Sequence, residues 1–493
     1  MSKTVAIVGA GIGGLAAAAL LAKAGNRVTV FEKAQTTGGK AASIRLGGFR
    51  FDTGPSLWTL PDVFSAFFAR LGRDMQDVLE PIPLAPLCAY DFADGTHLNS
   101  FSERSPFAAE LQRAGVATSF ELDAYLEKGA QMWNLAGELF LTRSLHEPST
   151  YHSRAGLRAI LNAPRLSPFK SLHEANARAF ADPRAVQLFD RYATYNGSSP
   201  FRTPATMRII SHVEYAFGGY ALKGGIYSLP RALERVAREM GVKFQLGTPV
   251  ERIHAEVGRC RGVDVGGRFF PSEIVVSNAD VLSTYRTLLG EPQAPEARRY
   301  ERLEPSSSGL VFLWGMGKRF SQMQVHNIFF SDNYSDEFDA IFSRLDLPEC
   351  STVYVNITSK VTPEDAPADG ENWFVLLNAP RSAGQDWPAT VARAKAAVLK
   401  RLSAALGCNI EALIREEKVI TPVDIERDTG STFGSLYGIA SHSSVSSFLR
   451  HPNRSRRIQG LYFAGGSVHP GGGMPLALLS GMLAADLAEK YER

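Results

Sequence analysis

Gly9, Gly11 and Gly14, with Ile12 between them, stand in G-x-G-x-x-G spacing, and the acid Glu32 follows 18 residues after Gly14. Backbone N–H groups exposed by such a turn can cradle a pyrophosphate, and an acid at that distance can hold ribose hydroxyls. Other reactive side chains fit known chemistries poorly. Ser467 sits in G-G-S-V-H, not the G-x-S-x-G of a nucleophile elbow. His451 and His469 have no metal-ligand spacing, and Cys88, Cys260, Cys350 and Cys408 form no C-x-x-C pair, so no metal site is expected. Glu214, beside Tyr215, and Asp52, in F-D-T-G-P, could take a proton, although such carboxylates more often serve as hydrogen-bonded supports. No catalytic residue is assigned. The chemistry best served is redox chemistry on a bound dinucleotide.

These residues need particular elements to position them. Residues 4–8 (T-V-A-I-V) read as a buried parallel strand, residues 15–24 as a helix stopped by Gly25, and residues 27–31 (R-V-T-V-F) as a second strand delivering Glu32. Near the other end, residues 461–464 (L-Y-F-A) predict a strand. It runs through Gly465-Gly466-Ser467-Val468-His469-Pro470-Gly471-Gly472-Gly473-Met474-Pro475 into a helix over 476–490. The start of that helix offers backbone donors and a positive dipole end to an electron-rich carbonyl. His469 is read as stiffening the turn before Pro470.

Composition bounds the rest. The chain has 493 residues, 45% of them apolar and 21% charged, enough for two or three domains with sizeable cores. Lys plus Arg total 53 against 50 Asp plus Glu, so no global field draws in nucleic acid. The charge-free stretches 4–22 and 458–485 are broken by glycine and proline, and neither is expected to span a bilayer. Cysteine usage suits a reducing cytoplasm.

Gly38-Gly39-Lys40 after the acid, F-D-T-G-P-S over 51–56, and G-L-Y-F-A-G-G-S-V-H-P-G-G-G-M-P at the C-terminal end resemble the bacterial carotenoid desaturases within the double-glycine flavoprotein superfamily. Y-A-T-Y-N-G-S-S-P-F over 192–201, G-G-I-Y-S-L-P over 224–230, V-S-N-A-D over 276–280 and S-L-Y-G over 435–438 extend the resemblance over nearly the whole chain. It implies an α/β fold with a Rossmann-type FAD-binding domain built from discontinuous segments and a mixed-sheet plus helical substrate domain. The expected segments are 1–100, 224–290 and 420–493 for FAD, and 101–223 and 291–419 for substrate and membrane association. Carried over residue by residue, FAD contacts fall to Gly9, Gly11, Ile12, Gly14, Glu32, Lys33, Gly39, Lys40, Ser56, Leu57, Val250, Asn278, Leu436, Gly466, Gly473 and Met474. No cysteine stands in the C-terminal segment for covalent attachment, so the FAD is expected to be non-covalent.

The implied activity is desaturation of a long polyene by hydride transfer to flavin, with a quinone or oxygen as electron acceptor. G-G-S-V-H-P-G-G-G-M-P and N-G-S-S-P-F resemble 1-hydroxycarotenoid 3,4-desaturases more than phytoene desaturases. Phytoene desaturation, redox-neutral carotenoid isomerisation and lipid carriage of the GDP dissociation inhibitor type are the rivals, and Gly466 replaces the Glu usual in amine oxidases. Residues 151–180 mix Arg154, Arg158, Arg165, Lys170 and Arg178 with Leu157, Ile160, Leu161, Leu166, Phe169, Leu172 and Phe180. That mixture suits a peripheral seat on a membrane lipid surface.

Overall fold

A computed structural model describes residues 2–162, 169–448 and 450–492. Five short parallel strands form one sheet in the order Leu461–Phe463, Ile274–Ser277, Thr4–Val8, Arg27–Phe31, Lys243–Gln245. Apart from half-buried Phe244 in the edge strand, their Val, Ile and Phe side chains are buried on both faces, which is what a parallel sheet covered by helices requires. The helix Ile12–Lys23 is buried from Ile12 through Ala22, so its Ala-rich sequence serves close packing from every side. It shares one core with Ser228–Glu239 and the closing helix Met474–Tyr491. The strands and helices read from the two ends of the sequence are all present, with the first helix beginning at Ile12 and the last at Met474.

A second sheet has seven strands in the order Ile414–Ile420, Ser308–Met316, Glu371–Ala379, Val353–Ile357, His326–Phe329, Cys88–Asp91, His97–Ser100. All neighbours are antiparallel except His326–Phe329 with Cys88–Asp91. Cys88–Asp91 and His97–Ser100 therefore pair in this second sheet, although they fall within the 1–100 segment expected to serve FAD. The pairing of Asn327 with Ala89 joins strands far apart in sequence, and no local pattern encodes it. Helices between residues 104 and 217 cover one side of this sheet around an aromatic core containing Phe107, Tyr125, Phe189 and Tyr215.

Among the described residues no helix is long and apolar enough to cross a membrane. Of the residues in the basic-apolar stretch, Leu172 and Phe180 are core, against the surface role expected for them. Leu157, Leu161 and Phe169 are exposed, at 53%, 81% and 98%. Arg165 and Leu166 lie outside the described residues.

Candidate functional site

Thr4–Val8 and Ile274–Ser277 run side by side with Val8 opposite Ser277, so Gly9 and Asn278 emerge together at the carboxyl edge of the sheet. Ligands of open α/β sheets bind in such a crevice. Gly9 takes a positive φ of 96° as the chain turns into the helix. A Cβ on Gly11 would lie 2.6 Å from Asn278 Nδ2, and one on Gly13 would lie 2.8 Å from the Gly465 nitrogen. The backbone there is bare because side chains have no room. Asn278 Oδ1, beside this turn, is buried and has no hydrogen-bond partner among the described residues.

Glu32 closes the crevice. Its Oε2 accepts the Ala10 N–H at 2.6 Å and its Oε1 accepts the Ala34 N–H at 2.9 Å, tying the acid to the glycine turn. Exposed Lys33 donates to the Arg427 carbonyl at 2.9 Å. Lys40 donates to the carbonyls of Ser435 and Leu436 at 3.0 and 2.7 Å. Burial lowers its pKa to about 8, against the opposing pull of Asp280.

The C-terminal segment reaches the same crevice. Arg450, which sequence reasoning missed, donates from Nη1 to the Tyr437 and Gly466 carbonyls and from Nη2 to the Ile439 carbonyl, at 2.7, 3.2 and 3.1 Å. It thereby fastens the 435–439 segment to the glycine run. Burial lowers its pKa to about 10. Gly473, at φ 103°, leads into the helix beginning at Met474.

One cavity of 1070 Å³ joins these parts. Fifteen of the sixteen sequence-derived residues line it; the exception is Gly14, where a Cβ would lie 2.2 Å from the Gly9 oxygen. Val250, at the start of a strand, and Leu436 are on the wall, as are Ser56 and Leu57. The cavity continues past them to Trp133, Phe140, Met207, Ile209 and Ile210, an apolar lining suited to a hydrocarbon chain. The glycine cradle, the acid and the orphaned amide oxygen fit a dinucleotide.

The two candidate carboxylates differ. Asp52 is off the cavity, bonded to Arg50 at 2.6 Å and to the N–H groups of Ile226 and Tyr227. Glu214 is on the cavity wall, but its Oε1 accepts Arg191 Nη2 at 2.9 Å and the Tyr192 hydroxyl at 2.7 Å, while its Oε2 accepts the Tyr195 hydroxyl. Neither is a free base. His469 does not line the cavity; its Nε2 bonds the Arg143 carbonyl at 2.9 Å, and burial lowers its pKa to about 4.

The family model for flavin-containing amine oxidoreductases matches residues 12–488. The chain belongs to that family. A 1-hydroxycarotenoid 3,4-desaturase from Flavobacterium sp. (strain P99-3) is 42% identical over 98% of this chain and 99% of its own length. A 4,4'-diapolycopene oxygenase from Methylomonas sp. is 33% identical over 98% of each chain. An oxidoreductase from Methanosarcina mazei shares the fold, with a TM-score of 0.65 at 16% identity over 98% of this chain and 100% of that one. Within the family, this flavoprotein is an FAD-dependent oxidoreductase of the carotenoid desaturase group.

Proposed function

We propose that the protein is a 1-hydroxycarotenoid 3,4-desaturase holding non-covalent FAD. The observation that carries this reading is the continuous cavity in which the dinucleotide cradle opens into an apolar, aromatic-lined wall. The 42% identity to a relative of that activity over its whole length supports the substrate class. The glycine turn and Glu32 would hold the adenosine and phosphate half, while Lys40, Ser56, Leu57, Gly466 and Met474 would border the flavin. When bound, FAD supplies a two-electron acceptor for hydride. A quinone or oxygen would complete the electron transfer.

Desaturation removes a hydride from one carbon and a proton from its neighbour. The cation left at an allylic carbon spreads along the polyene, so a strong base is dispensable. The engagement of Glu214 by three donors agrees with that. The chain's own residues bind and orient the hydrocarbon and exclude water. We place the FAD-binding unit on the five-stranded sheet and the substrate unit on the seven-stranded sheet, assigning residues 88–100 to the latter. Exposed Leu157, Leu161 and Phe169 beside Arg154, Arg158 and Lys170 support a peripheral seat on a membrane.

The test is turnover by the FAD-loaded protein in liposomes carrying a 1-hydroxylated acyclic carotenoid or, separately, phytoene. Loss of two hydrogens from the hydroxylated substrate alone is expected. Conversion of phytoene alone, a product of unchanged mass, or gain of oxygen would replace the reading with a phytoene desaturase, an isomerase or an oxygenase.

A further inference from the structure

Beside Ser56 the apolar cavity carries a polar relay. The Ser56 hydroxyl bonds the Tyr354 hydroxyl at 2.6 Å, and the Tyr354 hydroxyl bonds His326 Nδ1 at 2.6 Å. Asn356 Nδ2 donates to the Val325 carbonyl at 3.0 Å, which fixes the orientation of its amide, and lies 3.2 Å from the same Nδ1. An amide nitrogen can only donate, so Nδ1 is an acceptor. Burial and the charge of Arg191 lower the His326 pKa to about 3, so the ring is neutral and its one proton sits on Nε2.

That Nε2–H has no hydrogen-bond partner among the described residues. His326 is 3% exposed and lines the cavity. A buried donor left unmade is costly, and sites built this way favour a ligand that completes the bond. Nearby, Glu214 accepts from Arg191, Tyr192 and Tyr195, and Arg191 donates from Nη1 and Nη2 to Tyr195, Tyr192 and Glu214 while lying over the rings of Tyr90, Tyr192 and Tyr195; its buried Nε, like His326 Nε2, has no partner among the described residues. In a 1-hydroxylated polyene the oxygen is three bonds from C3. A group that reads it must therefore stand next to the reacting carbons, not at a remote end of the cavity. Ser56, which the family resemblance sets beside the flavin, links His326 to that position.

We propose that His326, held by Tyr354 and Asn356, is the donor that recognises the tertiary hydroxyl of the substrate and selects it over a purely hydrocarbon chain. This deepens the reading given under Proposed function and rests on it.

The test titrates FAD-loaded wild type, His326→Leu, His326→Gln and Tyr354→Phe with a 1-hydroxylated acyclic carotenoid and with its non-hydroxylated counterpart. Kd is read from flavin fluorescence quenching, alongside turnover of each ligand by wild type. Wild type is expected to prefer the hydroxylated ligand, and His326→Leu to reduce the Kd ratio about tenfold. His326→Gln, which keeps an N–H donor, should restore part of it, and Tyr354→Phe should erode the ratio in the same direction as Leu. An unchanged ratio in His326→Leu, with wild type still desaturating the hydroxylated ligand, would overturn the assignment and leave the proposed activity standing. If His326→Leu does not fold, an unchanged ratio in Tyr354→Phe has the same force. Wild-type turnover of only the non-hydroxylated ligand would overturn both.

Discussion

Gly481 of the closing helix packs against Gly13 of the opening helix so closely that a Cβ on Gly481 would lie 2.1 Å from the Gly13 oxygen. The clash would be with backbone, which cannot rotate away. Gly481→Ala is expected to cost about 1–3 kcal/mol of stability by overpacking. It should also loosen the crevice that both helices border. Lower thermal midpoint together with weaker FAD retention is the expected outcome, and an unchanged midpoint would count against this contact.

Glu32 is the acid through which the second strand meets the glycine turn. Glu32→Ala removes the acceptor from the Ala10 and Ala34 N–H groups as well as the expected ribose contact. Charge-assisted bonds of this kind contribute about 1.5–3 kcal/mol each. FAD occupancy after desalting, read from flavin absorbance, should fall at least about tenfold in apparent affinity. Full occupancy would relocate the ribose site.

Lys40 gives a pH-dependent signature. Its folded pKa of about 8 lies below the ordinary 10.5 because burial disfavours the ammonium. Below pH 8 it is charged in both states and the folded protein bears the full cost. Between pH 8 and 10.5 the unfolded chain holds a proton that the folded one has released, so stability gains with rising pH. Urea midpoints of wild type minus Lys40→Met should therefore climb across that window. A flat difference would show that Lys40 titrates normally.

The exposed apolar side chains Leu161 and Phe169 bear on the membrane seat. Burying such a side chain contributes about 1.5–3 kcal/mol. Replacing both with Glu should reduce co-sedimentation with anionic vesicles by at least about tenfold. Undiminished binding would move the contact elsewhere on the surface.

What the sequence discloses follows the range of the interactions. The glycine turn, the first two strands and Glu32 are legible because strand, turn, helix and acid lie within about thirty residues and each has its own local signal. Lys40 and Met474 are legible through the resemblance, and the structure brings them to one cavity wall. Arg450 and His326 are not legible. Arg450 acts on three carbonyls that carry no sequence mark, and His326 gains its meaning only when Tyr354 and Asn356, on a neighbouring strand, are laid against it. The misassignment of Leu172 and Phe180 has a similar cause: mixed basic and apolar residues look alike in a surface segment and in one packed into a core.

The parallel sheet takes its central strand from residues 4–8 and an edge strand from residues 461–463. During synthesis the strand at residues 4–8 waits until residues 461–463 have been made before that edge is in place. Until then the glycine turn lacks Gly465 and the closing helix that packs on it. Cofactor capture is thus expected to wait until residues 461–491 have been made, and a chain truncated before residue 461 would carry a complete G-x-G-x-x-G motif without the segment that closes its crevice.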